Sequence, residues 1–444
     1  MQSKSDLEQQ EKILKKKLRD LGGLSELFPD IKKNYQAQIG HIKTLLKQTP
    51  VLEQHQSAIF GKGAKLKKEA SAAIEDAEGK LSELSSAAEE LEKKLTPAET
   101  IPQARKEELA ALAKACSQAE MEKLSFEETA YCLVITLSEI MQLQRAEQKD
   151  EISTKRYTEQ QKKLQKTVGE TLRTLDSVYV AFSPATRCPY VDVRDQEQQS
   201  ALWIFSKEEY GQNCKLHFAK EYIFTDMVEI KQEMLQNFAK NLPRWGFNTL
   251  ILNNGVHNLV FPLAAWIGTV NYSCPINPML HMRRLDFYQA LLAFNKVPQT
   301  NHTLYKRHHN PQILKAKESM MLFELSRAQY TVVMKSVIQK DAQGKEAEMT
   351  EIPTVKKDDT PFLLIFTDML EYSAWKDASD FKTEDGKTVA KVLSFENLCN
   401  MANDTKTQLL LDRNGWCFEM TEQHRTAIAQ IAKQVAEQTK KPKE

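Results

Sequence analysis

No tryptophan occurs before residue 200, and residues 1–150 contain only Phe28, Tyr35, Phe60, Phe126 and Tyr131 as aromatic side chains. A core built on large rings is thereby excluded from the first third. No run of about eighteen uncharged apolar residues occurs, and the polar start Met1–Gln10 has no apolar stretch of the secretory type, so a cytoplasmic chain without stable membrane insertion is expected. The seven cysteines, at 116, 132, 188, 214, 274, 399 and 417, are odd in number and never spaced Cys-x-x-Cys, which argues against a disulfide framework and against a structural zinc site. Neither charge dominates. With 61 basic and 60 acidic residues and a net charge of +1, no global field draws the chain to nucleic acid. There is no Gly-x-Ser-x-Gly elbow, no His-Glu-x-x-His helix and no phosphate loop, so neither a catalytic residue nor a cofactor is expected.

The length of 444 residues exceeds one core and fits about two to four domains. Residues 1–150 are rich in Glu, Lys, Gln, Ala and Leu, which lose little side-chain entropy on coiling. Within them Ile74, Ala77, Leu81, Leu84, Ala88, Leu91 and Leu95 follow one another at alternating spacings of 3 and 4, the pattern of a coiled-coil seam. A looser stripe runs through Leu24, Phe28, Ile31, Tyr35, Ile39, Ile42 and Leu46 and is expected to end at Pro50, with a turn around Gly61-Lys62-Gly63. Three heptads are marginal as an isolated pair, so the seam either packs in a local bundle or self-associates. Thr96-Pro97 and Ser125-Phe-Glu-Glu128 have the spacing of helix starts. A polar helical connector is expected over 151–176.

Behind this arm lies a duplication. Ala201–Ser206 is followed by Leu250–Gly255, and Phe362–Thr367 is followed at nearly the same distance by Leu409–Gly415. Each copy opens with a helix and a β-branched strand, Val178–Phe182 or Tyr330–Met334. Each then shows an apolar strand ending in Phe205-Ser206 or Phe366-Thr367, whose hydroxyls are placed to cap a helix. A further strand and helix follow, at Tyr222–Phe224 and Val392–Leu393. Asn254-Gly255 and Asn414-Gly415 then suit hairpin turns, because both residue types tolerate positive φ. The expected fold is multidomain: a coiled-coil or bundle arm (1–150), the connector (151–176), a first mixed-sheet α/β module (177–296), a linker (297–310), a second module (311–438) and a flexible tail (439–444).

Through Pro361–Asp368, Trp375, Val392-Leu-Ser-Phe-Glu396 and Leu409–Gly415, residues 310–425 resemble the bacterial SseB-like N-terminal domain family; residues 165–265 resemble it less closely and lack the Leu-Ser-Phe step. The resemblance implies small intracellular α+β modules and carries no catalytic residue with it.

Other motifs carry bland readings. The cluster of Lys62, Lys65, Lys67 and Lys68 reads as a solvated helix turn, His302, His308 and His309 as a polar interdomain loop, and Cys188 with His257 as a buried thiol and a surface histidine. Tyr272–Met279 reads as a proline-braced link. The role expected from the sequence is a non-enzymatic scaffold or adaptor whose seam, Ile74 to Leu95, binds a helical protein partner or a second copy. The alternatives are a small-molecule sensor or enzyme with a pocket between the modules, or a secretion- or envelope-associated factor.

Overall fold

The computed structural model describes residues 4–20, 25, 27–53, 62–95, 101–116, 118–146, 150–297, 306–340, 346–352, 354–357, 359–378, 388–413 and 417–440. Three helices come first, α1 (Lys4–Asp20), α2 (Pro29–Glu53) and α3 (Lys62–Leu95). Leu14 of α1, Tyr35, Ile39 and Ile42 of α2 and Ala73, Ile74, Ala77 and Leu81 of α3 form one buried cluster. The 3-4 spacing works as expected in gathering apolar side chains on one stripe, and that stripe is covered by the chain's own helices. Further along α3, Leu84 is buried, and Ala88 and Leu91 pack with Leu27 and Phe28 against Leu216 and Ala219 of α8 (Glu208–Lys220). Lys220 Nζ reaches Glu92 Oε1 at 2.6 Å across this contact.

Of the two arrangements open to the seam, packing within a local bundle is the one seen here. Ile74, Ala77, Leu81, Leu84, Ala88 and Leu91 face internal neighbours, so a partner helix would first have to displace α1, α2 or α8; the side chain of Leu95 lies outside the described residues. The helix α2 also continues to Glu53, past Pro50, since a proline near a helix end removes only one backbone bond. The turn at Gly61 and the start at Thr96 lie outside the described residues. Placing a charge at the small contact, as in Ala88→Glu, is expected to release α1–α3 from α8, raising the radius of gyration in small-angle scattering while the tryptophan near-UV spectrum of the rest stays the same.

Four further helices precede the first sheet: α4 (Gln103–Ala115), α5 (Gln118–Met121), α6 (Phe126–Arg145) and α7 (Glu151–Thr174). The capping box opens α6 as the sequence predicts: Glu128 N donates to Ser125 Oγ, and Ser125 N donates to Glu128 Oε2. Helix α7, however, is no exposed connector. Leu164, Val168 and Leu172 are buried in the same core as Leu109, Ala130 and Leu133 and the sheet residues Val178, Leu202 and Leu250. A thin apolar stripe suffices because Gln160, itself buried, donates to Ala113 O at 2.9 Å and to Thr136 Oγ1 at 2.6 Å. Gly169 makes the crossing to α10 (Leu263–Ile267) possible, since a Cβ there would lie 2.3 Å from Ala265 O. The arm expected over 1–150 thus divides: α1–α3 form their own cluster, and α4–α7 belong to the first module's core.

Two mixed sheets follow with one topology. In the first, β1 (Ser177–Ser183), β4 (Gln199–Phe205), β6 (Thr249–Leu252) and β7 (Leu259–Pro262) are consecutive neighbours. There β5 (Asp226–Lys231) and β2 (Cys188–Pro189) pair with β1, and β3 (Val191–Arg194) pairs with β4. In the second, β8 (Gln329–Lys340), β11 (Thr360–Phe366), β13 (Gln408–Leu411) and β14 (Phe418–Met420) repeat that order. Here β12 (Thr388–Ser394) and β9 (Glu346–Glu351) pair with β8, and β10 (Thr354–Lys357) pairs with β11. The parallel pair at each centre, β4 with β6 and β11 with β13, is buried on both faces, which explains the continuous apolar runs.

The helices repeat as well. In the first copy α8 and α9 (Gln232–Asn241) occupy the positions of α13 (Met369–Ala378) and α14 (Phe395–Asp404) in the second. The packed pair α6 and α7 matches α11 (Pro278–Lys296) and α12 (Pro311–Arg327), and α10 on α7 matches α15 (Glu422–Lys440) on α12. The repeat therefore starts two helices before its first strand, and α11, expected within the first module, leads the second. It serves both: Leu280 lies in the second core, Met282 and Leu285 in the first. The strand expected at Tyr222–Phe224 is a turn, with Tyr222 at φ +54° and the strand beginning at Asp226. The hairpin between β6 and β7 has a wider loop than Asn-Gly alone requires, with Asn253, Gly255 and Asn258 all at positive φ; Asn414 and Gly415 lie outside the described residues.

Candidate functional site

In open α/β sheets ligands bind beyond the carboxyl ends of parallel strands. Here the two central parallel strands of each copy end on a pair of polar residues joined to each other. In the first copy Asn253, fully buried and at φ +49°, accepts from Ser206 N at 2.8 Å through Oδ1 and donates to Ser206 Oγ at 2.9 Å through Nδ2. In the second, Asp412 at φ +49° accepts from Thr367 N at 2.8 Å and from Thr367 Oγ1 at 2.9 Å. Asn253 N and Asp412 N donate to Ile204 O and Ile365 O, at 3.0 Å in both cases. The two latches correspond residue for residue in their bonds.

These bonds correct the capping expectation. The Ser206 hydroxyl is held by Asn253, and α8 has no side-chain cap. The Thr367 hydroxyl is held by Asp412, and of the expected Thr367-Asp368 cap it is Asp368 that caps α13, its Oδ1 accepting from Leu370 N and Glu371 N at 2.9 and 3.0 Å. A short hydroxyl next to a strand end has two candidate partners, the helix it precedes and the neighbouring strand's terminal polar residue. Only the register of the sheet selects the second.

Burial, and then the charge of Glu371, raise the Asp412 carboxyl to about 7, against the lowering effect of the Thr367 bonds. When protonated, Asp412 has the donor and acceptor arrangement of the Asn253 amide. The sign of the linkage follows: stability from this group is complete below the ordinary carboxyl value of 3.8 and is lost as pH rises through about 7. Between these limits the loss is up to about 1.4 kcal/mol per pH unit. Asp412→Asn is expected to keep the latch, to flatten the pH dependence of the urea midpoint across this window and to raise the midpoint at pH 8. A slope unchanged from the parent would count against it.

Beside the second latch the modules meet. Arg244, from the turn after α9, is 5% exposed and places Nε 2.6 Å from Asp368 Oδ2 and Nη2 2.5 Å from Glu371 Oε1, while Nη1 donates to Asn241 Oδ1 at 3.2 Å. Burial works against this guanidinium, but the bonds and charges of Asp368 and Glu371 outweigh it and raise its pKa. His281 on α11 lies with Nε2 4.0 Å from Asp368 Oδ2, and burial, then Arg284 and Arg244, hold its pKa well below the ordinary histidine value. Asn277 donates to Thr367 O at 2.5 Å and to Gln329 O at 2.8 Å, fixing the start of α11 on the second sheet. The segment Tyr272–Met279 is a link as expected from its prolines, and through Asn277 it is also a clamp.

The first copy has a milder counterpart. Lys207, in the place of Asp368, pairs with Glu127 at 2.8 Å. Next to them His257 is buried, not at the surface as expected, and burial lowers its pKa. Cys188 instead approaches Arg284 Nη2 at 3.7 Å, so the structure does not bring it together with His257. His309 stacks on Phe294 with centroids 3.9 Å apart, His308 lines a cavity near α11, and His302 lies outside the described residues. Among the described residues no group of three or more His, Cys, Asp or Glu side chains is placed to hold a metal ion, and no helix is long and apolar enough to cross a membrane.

Of the groups at this junction, Asp368 falls at the helix start that the sequence marks after Phe366 and Asn277 in the proline-braced link, while Arg244 and Asp412 are given no role by the sequence. One signal was present: aligning Leu250-Ile-Leu-Asn253 with Leu409-Leu-Leu-Asp412 puts a polar residue directly after the strand in both copies. Arg244 had no such signal, since its two carboxylate partners lie more than 120 residues away. What the arrangement does chemically is to lock two modules through a buried arginine shared by two carboxylates. In comparison with known proteins, the chain matches no family model, no curated protein and no solved structure.

Proposed function

We propose that the chain is a non-catalytic adaptor that takes up an extended segment of a partner protein along the outer edge of its second sheet. The first module and the helical arm act as its rigid support, and both modules are of the SseB-like, bacterial, cytoplasmic kind. The observation that carries this reading is a difference between two equivalent edges. In the first copy the outer strand β5 reads Asp-Met-Val-Glu-Ile-Lys, and its three charges oppose the addition of another strand. In the second copy the outer strand β12 reads Thr-Val-Ala-Lys-Val-Leu-Ser, with one charge.

The register sharpens the comparison. Tyr179 and Thr331 hold the same place in the two sheets, opposite Phe205 and Phe366. On their other side stand Glu229 and Val392. Where one copy carries a carboxylate, the other thus carries a valine that is 44% exposed. Among the described residues β12 pairs only with β8, so every second residue turns its N–H and C=O outward, as an added strand requires. The seven cysteines, exposed only at Cys417 and all unbridged, support a reducing compartment.

A random peptide library displayed on phage and panned on the full chain tests this. Enriched peptides are expected to alternate apolar and polar residues and to bind at least about tenfold more weakly, roughly 1.4 kcal/mol, to Val392→Glu, which gives the second edge the charge of the first. Failure to enrich any such peptide, or binding indifferent to Val392→Glu while Glu229→Gln alters it, would count against the proposal.

A further inference from the structure

A cavity of about 200 Å³ lies where the first sheet meets α11 and α12, apart from both latches and from β12. Its lining includes Ser183 at the end of β1, Tyr190 just before β3, Asp192 on β3, Asp286 on α11, His308 ahead of α12 and Lys317 on α12. The walls are built, not incidental. Gln289 of α11 accepts from Val191 N and donates to Val191 O, each at 2.9 Å, holding the helix at a fixed distance from β3. Arg307 pairs with Glu221 at 2.8 Å and so fixes the approach to His308.

Two polar atoms in this lining lack a protein partner among the described residues. Ser183 is 1% exposed, and its Oγ has no hydrogen-bond partner among the described residues. The same holds for Nε2 of His308. Burial lowers the pKa of that ring, which favours its neutral form, and Nε2 then donates or accepts according to the tautomer. A buried hydroxyl and a buried ring nitrogen are costly when left unpaired, and a ligand in the cavity that meets them recovers that cost.

Charge and size narrow the occupant. Both carboxylates of the lining are already matched: Asp286 by Lys317, with Nζ 2.5 Å from Oδ2, and Asp192 by Arg194 at 3.2 Å. A cation or an anion therefore gains no unbalanced partner. The lining presents a donor and acceptor hydroxyl, an imidazole nitrogen, carboxylate oxygens and an ammonium group, between the apolar surfaces of Phe224, Leu292 and Ala293. Groups that both donate and accept on adjacent carbons, with C–H faces between them, complement such a mixture. The volume is below the roughly 300–1,000 Å³ of pockets for drug-sized ligands and equals that of about seven waters at liquid density.

We propose that this cavity is a binding site for a small neutral polyhydroxylated molecule, a short polyol or a monosaccharide, held by Ser183, His308 and the Asp286–Lys317 pair. Occupancy ties α11 to the first sheet and so couples the ligand to the module junction. The test is ligand-detected saturation-transfer NMR and calorimetry on the full chain with glycerol, erythritol, D-ribose and D-glucose, and with ethylammonium chloride as a charge control. Saturable one-site binding of at least one of the four is expected, about tenfold weaker in Ser183→Ala for the loss of one hydrogen bond and lost in Ala290→Leu, which fills the cavity. Ser183→Ala removes one atom, and an unchanged thermal transition without ligand establishes that the variant is folded. Absence of saturable binding by all four, binding indifferent to both substitutions, or stronger binding of ethylammonium would each overturn the assignment.

Discussion

Replacing Arg244 with methionine is expected to destabilise the junction by about 3–5 kcal/mol, the scale of removing one partner from a buried charge group. The reason is what stays behind. Asp368, with its side chain fully buried, and the partly buried Glu371 would face each other without the cation that both contact. Asp368 would still cap α13, so the helix start survives and the loss falls on the packing between modules. The urea midpoint reads the loss, and hydrogen exchange reads its location: amides of α13 and of the start of α11 should exchange faster, and those of the α1–α3 cluster should not. Adding Asp368→Asn and Glu371→Gln to Arg244→Met should restore much of the midpoint, because it removes the stranded charges. A single variant no weaker than a surface arginine replacement would show that the cluster is hydrated and carries little.

Gly246, two residues further along the same turn, is expected to tolerate alanine just as poorly. Its φ is +90°, and a Cβ would lie 2.4 Å from Pro278 O and 2.6 Å from Met282 Cβ, both on α11. Its carbonyl also accepts a hydrogen bond from Ser200 Oγ, so the turn cannot rotate away freely. Strain of roughly 1–3 kcal/mol for the disallowed conformation and a similar amount for overpacking against backbone give a loss of roughly 2–6 kcal/mol. Gly79, where added bulk meets nothing within 4 Å, is the control: Gly79→Ala should be neutral or mildly stabilising in the same assay, since alanine favours the helix by up to about 1 kcal/mol. Equal effects at the two glycines would contradict the close approach at Pro278.

Much of the architecture is legible in local pattern. The 3-4 spacing from Ile74 to Leu91 specifies a helix with one apolar stripe, and Ser125 with Glu128 specifies a helix start, because both depend on residues within two turns of each other. The strands at Val178, Ala201, Leu250, Tyr330, Phe362 and Leu409 follow from β-branched and apolar runs. The equal offsets between them disclose the duplication. The short strands β2, β3, β9 and β10 were not legible, since segments as brief as Cys188–Pro189 have no period of their own and exist only through their neighbour's backbone.

The candidate sites divide along the same line. The landmark residues Ser206 and Thr367 were visible, but their role was not. Position in sequence offers a hydroxyl the helix that follows, whereas the parallel register brings Asn253 and Asp412, some 45 residues later, to the same spot. The seam was visible too, yet whether it meets a partner depends on α1, α2 and α8 arriving first, and α8 stands more than 100 residues away in sequence.

By itself the order of residues determined the helical first third, the two sheet modules, their shared strand landmarks and the balanced charge, all properties of segments a few turns or one strand long. The tertiary structure alone decided that the heptad stripe is satisfied internally, that α7 and α11 are core helices, that Arg244 answers Asp368, and that one sheet edge is charged while its twin exposes Val392. These are matters of which distant segments become neighbours, and burial, the pairing of charges and the pKa of Asp412 take their values only after that choice has been made.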